Sequence, residues 1–135
     1  MKSFKKGILA LGLTLGIIAS VGGGSVFAQQ IVSGRVNGNN AYGYSICYQF
    51  SATARTTYYG GTSALKTVNS VYTYIHPRTL ATGAITKSRS TNNMLYTWVD
   101  LYAPGICKSA YITSTHVVYD NGQTWTGSTN HSYNI

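Results

Sequence analysis

The chain has 135 residues, with ten Lys and Arg against two Asp and Glu, for a formal charge of +8. Both acids are aspartates, Asp100 and Asp120, so a two-carboxylate glycosidase would have to use this one pair. The basic residues are scattered rather than clustered, which argues against a nucleic-acid interface and leaves solubility or attraction to another polyanion.

The first 28 residues read as a secretory signal peptide. Lys2, Lys5 and Lys6 form a basic start, and Gly7 to Val21 is apolar. Ser25-Val26-Phe27-Ala28 then places small residues at the −3 and −1 positions of a cleavage site. Gly22-Gly23-Gly24 interrupts the apolar run and no basic flank follows, which disfavours a membrane anchor. Residues 29–135 are then a single exported domain. They keep seven basic residues against the two aspartates, a net +5.

Beyond the leader, turn signals recur at Asn37-Gly38-Asn39-Asn40, Gly60-Gly61, His76-Pro77, Ser90-Thr91-Asn92-Asn93, Pro104-Gly105 and Asn121-Gly122. Between them lie runs rich in Val, Ile, Thr and Tyr, which suit a pleated surface. Strands are expected near residues 31–36, 42–57, 64–75, 79–87, 94–103, 106–119 and 123–133. About seven strands without helical periodicity predict an all-β fold, a small antiparallel β-sandwich.

The second run is long enough to require a bulge or bend near Ala52–Arg55. Its alternation puts Tyr44, Ile46, Tyr48, Phe50 and Ala52 on the core face and Ser45, Cys47, Gln49 and Ser51 on the wetter one. The fifth run is apolar on both faces and reads as a central strand. Residues 62–93 read as a Ser/Thr-rich surface hairpin, with insertion into an oligomeric barrel as a minor alternative. The last hairpin carries the strongest signal. Asn121-Gly122 suits a two-residue type I′ turn, which pairs residues whose numbers sum to 243. A bulge near Thr113–Thr115 would reconcile the faces at its two ends.

Cys47 and Cys107 are the only cysteines. An exported chain favours a structural disulfide between them, which closes a loop of roughly sixty residues and stabilises by ~4 kcal/mol on the chain-entropy model. His76, His116 and His131 lack the spacing of a metal site, no Gly-x-Ser-x-Gly elbow is present, and no cofactor motif is found. These features predict a non-enzyme without metal or cofactor.

Twelve tyrosines and two tryptophans exceed what a domain of this size can hide. Tyr44, Tyr48, Phe50, Trp98 and Trp125 are assigned to the core. Tyr58, Tyr59 and Tyr133, with Arg55, Lys87 and Arg89, are expected on a binding surface, since exposed tyrosine among Ser, Gly and Asn is rigid and amphipathic. The function this implies is a secreted, bacteriocin- or toxin-like protein acting at an anionic envelope polymer or membrane surface. A carbohydrate- or wall-binding module is the alternative, and a small hydrolase a distant third.

Overall fold

The computed structural model describes residues 30–134, so the expected leader lies outside the described residues. The described residues form eight strands: β1 (Ile31–Val36), β2 (Asn39–Cys47), β3 (Ser51–Tyr58), β4 (Leu65–Ile75), β5 (Thr82–Thr91), β6 (Tyr96–Tyr102), β7 (Ser109–Asp120) and β8 (Gln123–Asn134). They make two antiparallel four-stranded sheets, β1-β2-β3-β6 (sheet A) and β5-β4-β7-β8 (sheet B), packed as a β-sandwich. Among the described residues no helix is long and apolar enough to cross a membrane.

Two Asn-Gly turns stand side by side at one end. Asn37 and Gly38 have φ of 49° and 81°, and Asn121 and Gly122 have 45° and 89°. Positive φ at both central positions is the type I′ geometry whose twist matches the flanking strands. Val36 accordingly pairs with Asn39, and Asp120 pairs with Gln123, the latter being the register expected from the sequence. The turns also hold each other: the Asn37 N–H donates to Gln123 Oε1 at 2.8 Å, and Asn37 Nδ2 donates to the Asp120 carbonyl at 2.8 Å.

Three expectations about strand courses are corrected. The long second run is not one bent strand. It breaks at Tyr48-Gln49-Phe50 into a hairpin, with Cys47 opposite Ala52 and no bulge in the β2–β3 register. The run around β6 is an edge strand of sheet A, not a central one. Its outward side chains are covered by stacking on neighbours, as described below. The β7–β8 register runs unbroken from Ser109–Asn134 to Asp120–Gln123, so no bulge interrupts it. The mixed pattern of β7 has another cause: its residues 112–118 are buried on both faces of an inner strand. The β4–β5 hairpin is split in character, with β4 an inner strand buried from Lys66 to Tyr72 and β5 an exposed edge.

The core inverts the expected faces of β2. Ala41, Ser45 and Cys47 are buried, whereas Tyr48 and Phe50 are half exposed. The reason lies across the sandwich. Sheet B sends large side chains inward, among them Tyr72, Ile112 and His116, and β2 must present small ones to receive them. Gly43 is the limiting case, since a Cβ there would stand 2.3 Å from His116 Cδ2. The apolar centre combines Ala52, Ala54, Val68, Tyr72, Val99, Leu101 and Ile112. A second cluster of Val36, Ala41, Tyr58, Ala64 and Val118 lies under the Asn-Gly turns, with Trp125 packed against it. Of the five aromatics assigned to the core, only Trp125 packs against a core cluster.

A hydrogen-bonded line of neutral side chains crosses this core. Ser45 Oγ donates to Thr129 Oγ1 at 2.7 Å, and Thr129 Oγ1 lies 2.7 Å from His116 Nε2. On the other side His116 Nδ1 lies 2.9 Å from Thr56 Oγ1, which donates to the Thr67 carbonyl at 2.9 Å. Each hydroxyl has one proton, so its direction is fixed. Thr56 must accept from Nδ1–H, and Thr129 must donate to Nε2. One neutral tautomer satisfies the whole line, and burial pushes the His116 pKa down to about 3.

The cysteines differ from expectation. Cys47 and Cys107 are both buried, but they are free thiols rather than a disulfide. Cys47 Sγ lies 3.7 Å from the Tyr48 carbonyl and Cys107 Sγ lies 3.3 Å from that of Gly105, so each is directed to its own loop. They remain neighbours: burial first, and then Cys107, pushes the Cys47 thiol up to about 12. Such a thiol is protonated at neutral pH.

Candidate binding face

The outer face of sheet A gathers aromatic and cationic side chains in rows set by strand register. Tyr42, Thr57 and Tyr96 align across β2, β3 and β6, and the next row aligns Tyr44, Arg55 and Trp98. Alternation dictates this, because the neighbours Ala54, Thr56, Thr97 and Val99 turn inward and are buried.

Ring and guanidinium contacts link the rows. The Arg55 guanidinium lies 4.9 Å from the Tyr96 ring centroid, and that of Arg89 lies 4.2 Å from Trp98. Tyr96 and Trp98 are 5.5 Å apart, and Tyr59 meets Tyr42 edge-on at 5.8 Å. Each cation–π contact contributes ~0.5–1 kcal/mol at an exposed site. Their larger effect is to limit the rotamers of side chains that a ligand would otherwise have to order.

Arg89 reaches this face from the other sheet, because β5 runs beside β6 along one side of the sandwich. Thr91 Oγ1 donates to Thr97 Oγ1 at 2.9 Å, and Lys87 Nζ donates to the Asp100 carbonyl at 2.7 Å. Between the strands lies an open groove of about 420 Å³, lined by Lys87, Ser88, Arg89, Trp98, Asp100 and Tyr102 among others. A shallower recess of about 390 Å³ lies over Tyr44, Arg55 and Thr57. Asp100 is the one carboxylate here, with its Oδ1 2.8 Å from Thr53 Oγ1.

The structure therefore brings Arg55, Lys87, Arg89 and Tyr59 onto or beside one face. It removes Tyr58, which is fully buried. Its hydroxyl donates toward Asp120 Oδ2 at 2.7 Å and lies 3.0 Å from the Val36 carbonyl, and burial with the Asp120 contact raises its pKa. The cause is the strand period: Tyr58 and Tyr59 are adjacent, so only one can face out. Tyr133 is half-buried against the apolar core and also stands apart. Tyr42, Tyr44, Tyr96 and Trp98 were not expected on this surface. The small residues alternating with Tyr42 and Tyr44 were the available signal, since a Gly-and-Ser face can be the inner one when the opposite layer is bulky.

Three of the titratable side chains, His116, His131 and Asp120, are tied into the fold, whereas His76 is exposed and Asp100 lines the groove. His116 is engaged at both ring nitrogens, His131 Nδ1 accepts the Cys47 N–H at 3.0 Å, and Asp120 holds the Tyr58 hydroxyl. Among the described residues no three His, Cys, Asp or Glu side chains are grouped to hold a metal ion. No protein-family model matches the chain, and no curated protein matches it.

Proposed function

We propose that this chain is an exported, non-enzymatic binding protein that docks on an anionic bacterial envelope surface, in the manner of a bacteriocin or toxin. The sheet A face supports this reading through one observation: two arginines are stacked on aromatic rings beside further exposed tyrosines. Stacked guanidiniums keep donors free for phosphate oxygens, and the rings offer apolar platforms beside them. A phosphate-rich wall polymer fits that combination.

The test is sedimentation with purified cell walls. Arg55→Ala/Arg89→Ala weakens binding roughly tenfold or more, since two lost charge-assisted contacts are worth upward of 1.4 kcal/mol. Raising the salt weakens the wild type in the same direction, because exposed charges are screened. A second reading, a carbohydrate-binding module, rests on the adjacent Tyr96 and Trp98 rings, 5.5 Å apart. It predicts the opposite pattern, with binding indifferent to salt and to the arginines but abolished in Trp98→Ala.

Export also bears on the cysteines. In an oxidising compartment we expect the neighbouring Cys47 and Cys107 thiols to close into a disulfide. Protein recovered from culture medium then has the mass of a bridged chain. Two alkylatable thiols after unfolding, in the absence of reductant, would contradict that expectation.

A further inference from the structure

The end of the sandwich opposite the Asn-Gly turns is built from three loops strapped together by backbone bonds. The Ala103 N–H donates to the Phe50 carbonyl at 2.8 Å, Cys107 N–H to that of Gln49 at 2.9 Å, and Lys108 N–H to that of Ile75 at 3.0 Å. This joins the β2–β3, β6–β7 and β4–β5 loops. The last of these closes on itself, with His76 N–H donating to Ala81 at 2.9 Å and Leu80 N–H to His76 at 3.1 Å.

Large apolar side chains project from this framework. Tyr48, Phe50, Leu80, Tyr102 and Ile106 are between 50% and 62% exposed. They come from three loops and a strand end yet stand at one pole. Leu80 has φ +59°, a left-handed conformation that a bulky residue adopts only when its surroundings impose it. Glycine would be the default there, as it caps a single helical turn. The chain instead holds leucine outward. The exposed charges on these loops are cationic, Arg78 and Lys108, while Asp120 lies at the opposite end and Asp100 on the β5–β6 side.

We propose that this pole is a membrane-docking tip that enters the interface of a bilayer with anionic headgroups. Tyrosine, phenylalanine and aliphatic side chains suit the boundary between headgroups and acyl chains, and Arg78 and Lys108 meet the phosphates above it. Charge complementarity selects the bilayer. The internal bonding of the loop N–H groups favours the same partner, because backbone groups entering a dry region must already be satisfied. The tip is also preformed, so little ordering entropy is lost on docking.

The tip shares only Tyr102 with the groove beside the sheet A face, and flotation with lipid vesicles tests it separately. Wild-type protein floats with mixed phosphatidylcholine–phosphatidylglycerol vesicles and less with phosphatidylcholine alone. Phe50→Ser/Ile106→Ser lowers the partition by roughly tenfold or more, the equivalent of 1.4 kcal/mol. Leu80→Gly is the decisive variant, because it relieves the backbone while removing the side chain. Its melting temperature holds or rises as its vesicle binding falls severalfold. Arg55→Ala/Arg89→Ala, defective on walls, keeps most of its vesicle binding. Equal flotation of wild type and Leu80→Gly overturns the proposal. So does wild-type protein that ignores vesicles but forms a dimer broken by Phe50→Ser/Ile106→Ser, since the tip would then serve a second copy.

Discussion

Acidifying the protein from pH 7 to pH 4.5 lowers its melting temperature by roughly 10–20 °C, with His116 as the main cause. Its pKa is about 3 in the fold against an ordinary 6.5. The unfolded chain therefore binds a proton between those values while the folded chain does not. Stability is complete above pH 6.5 and falls as pH drops toward 3, by about 1.4 kcal/mol per unit. At pH 4.5 the loss is on the order of 2–3 kcal/mol, a large share of the 5–15 kcal/mol typical of a domain.

The geometry explains why the proton is refused. Nδ1 already donates to Thr56, whose own proton is committed to the Thr67 carbonyl. Nε2 accepts from Thr129, which in turn accepts from Ser45. A second proton would turn Nε2 into a donor facing a donor, in a site with no accessible surface at His116. Thermal melts across pH 4.5–7.5 measure the effect. His116→Gln is less stable throughout, yet its profile is flatter in this window. A wild-type melting temperature that stays level from pH 7 to 4.5 would refute the assignment.

The parts of this fold that were legible in the sequence are those set by local chemistry. Asn121-Gly122 needs two residues with positive φ, and that requirement gives both the turn and the register of β7–β8. The class also follows, from β-branched runs and regular turn residues. What was not legible depends on the opposite sheet. Tyr44 and Ile46 look like core residues because they are the larger members of an alternating pair of faces. Only the inward size of His116 and Tyr72 explains why Gly43, Ser45 and Cys47 take the inside. The Tyr48-Gln49-Phe50 turn was hidden because it contains no Gly, Pro or Asn and the alternation passes through it. The same blind spot concealed the binding face and the apolar pole, since both are made of aromatics displaced from the core. The individual cations were easier to find, but their pairing with rings required β5 to lie beside β6.

Gly43→Ala destabilises the domain by roughly 3–5 kcal/mol, though it adds a single methyl group and removes no contact. In an ordinary strand the change would help, because glycine costs about 0.5–1 kcal/mol relative to alanine in element interiors. Here the new Cβ stands 2.3 Å from His116 Cδ2 and 2.4 Å from Cγ. The ring cannot retreat without breaking its bonds to Thr56 or Thr129. Overpacking alone costs about 1–3 kcal/mol, and a buried polar group left unpaired costs about as much again. Gly34→Ala makes a control with an even closer approach, 2.0 Å to Trp125 Nε1. Trp125 lies partly exposed at the sandwich margin and can swing outward, so this loss is the smaller one. The double variant Gly43→Ala/His116→Ala identifies the cause. Once the ring is gone its space receives the methyl, and adding Gly43→Ala to His116→Ala costs little. The two single losses then exceed the loss in the double variant by more than 1 kcal/mol, a coupling expected only of residues in contact. Strict additivity in urea melts would mean that Gly43 is needed for its backbone rather than for the ring it admits.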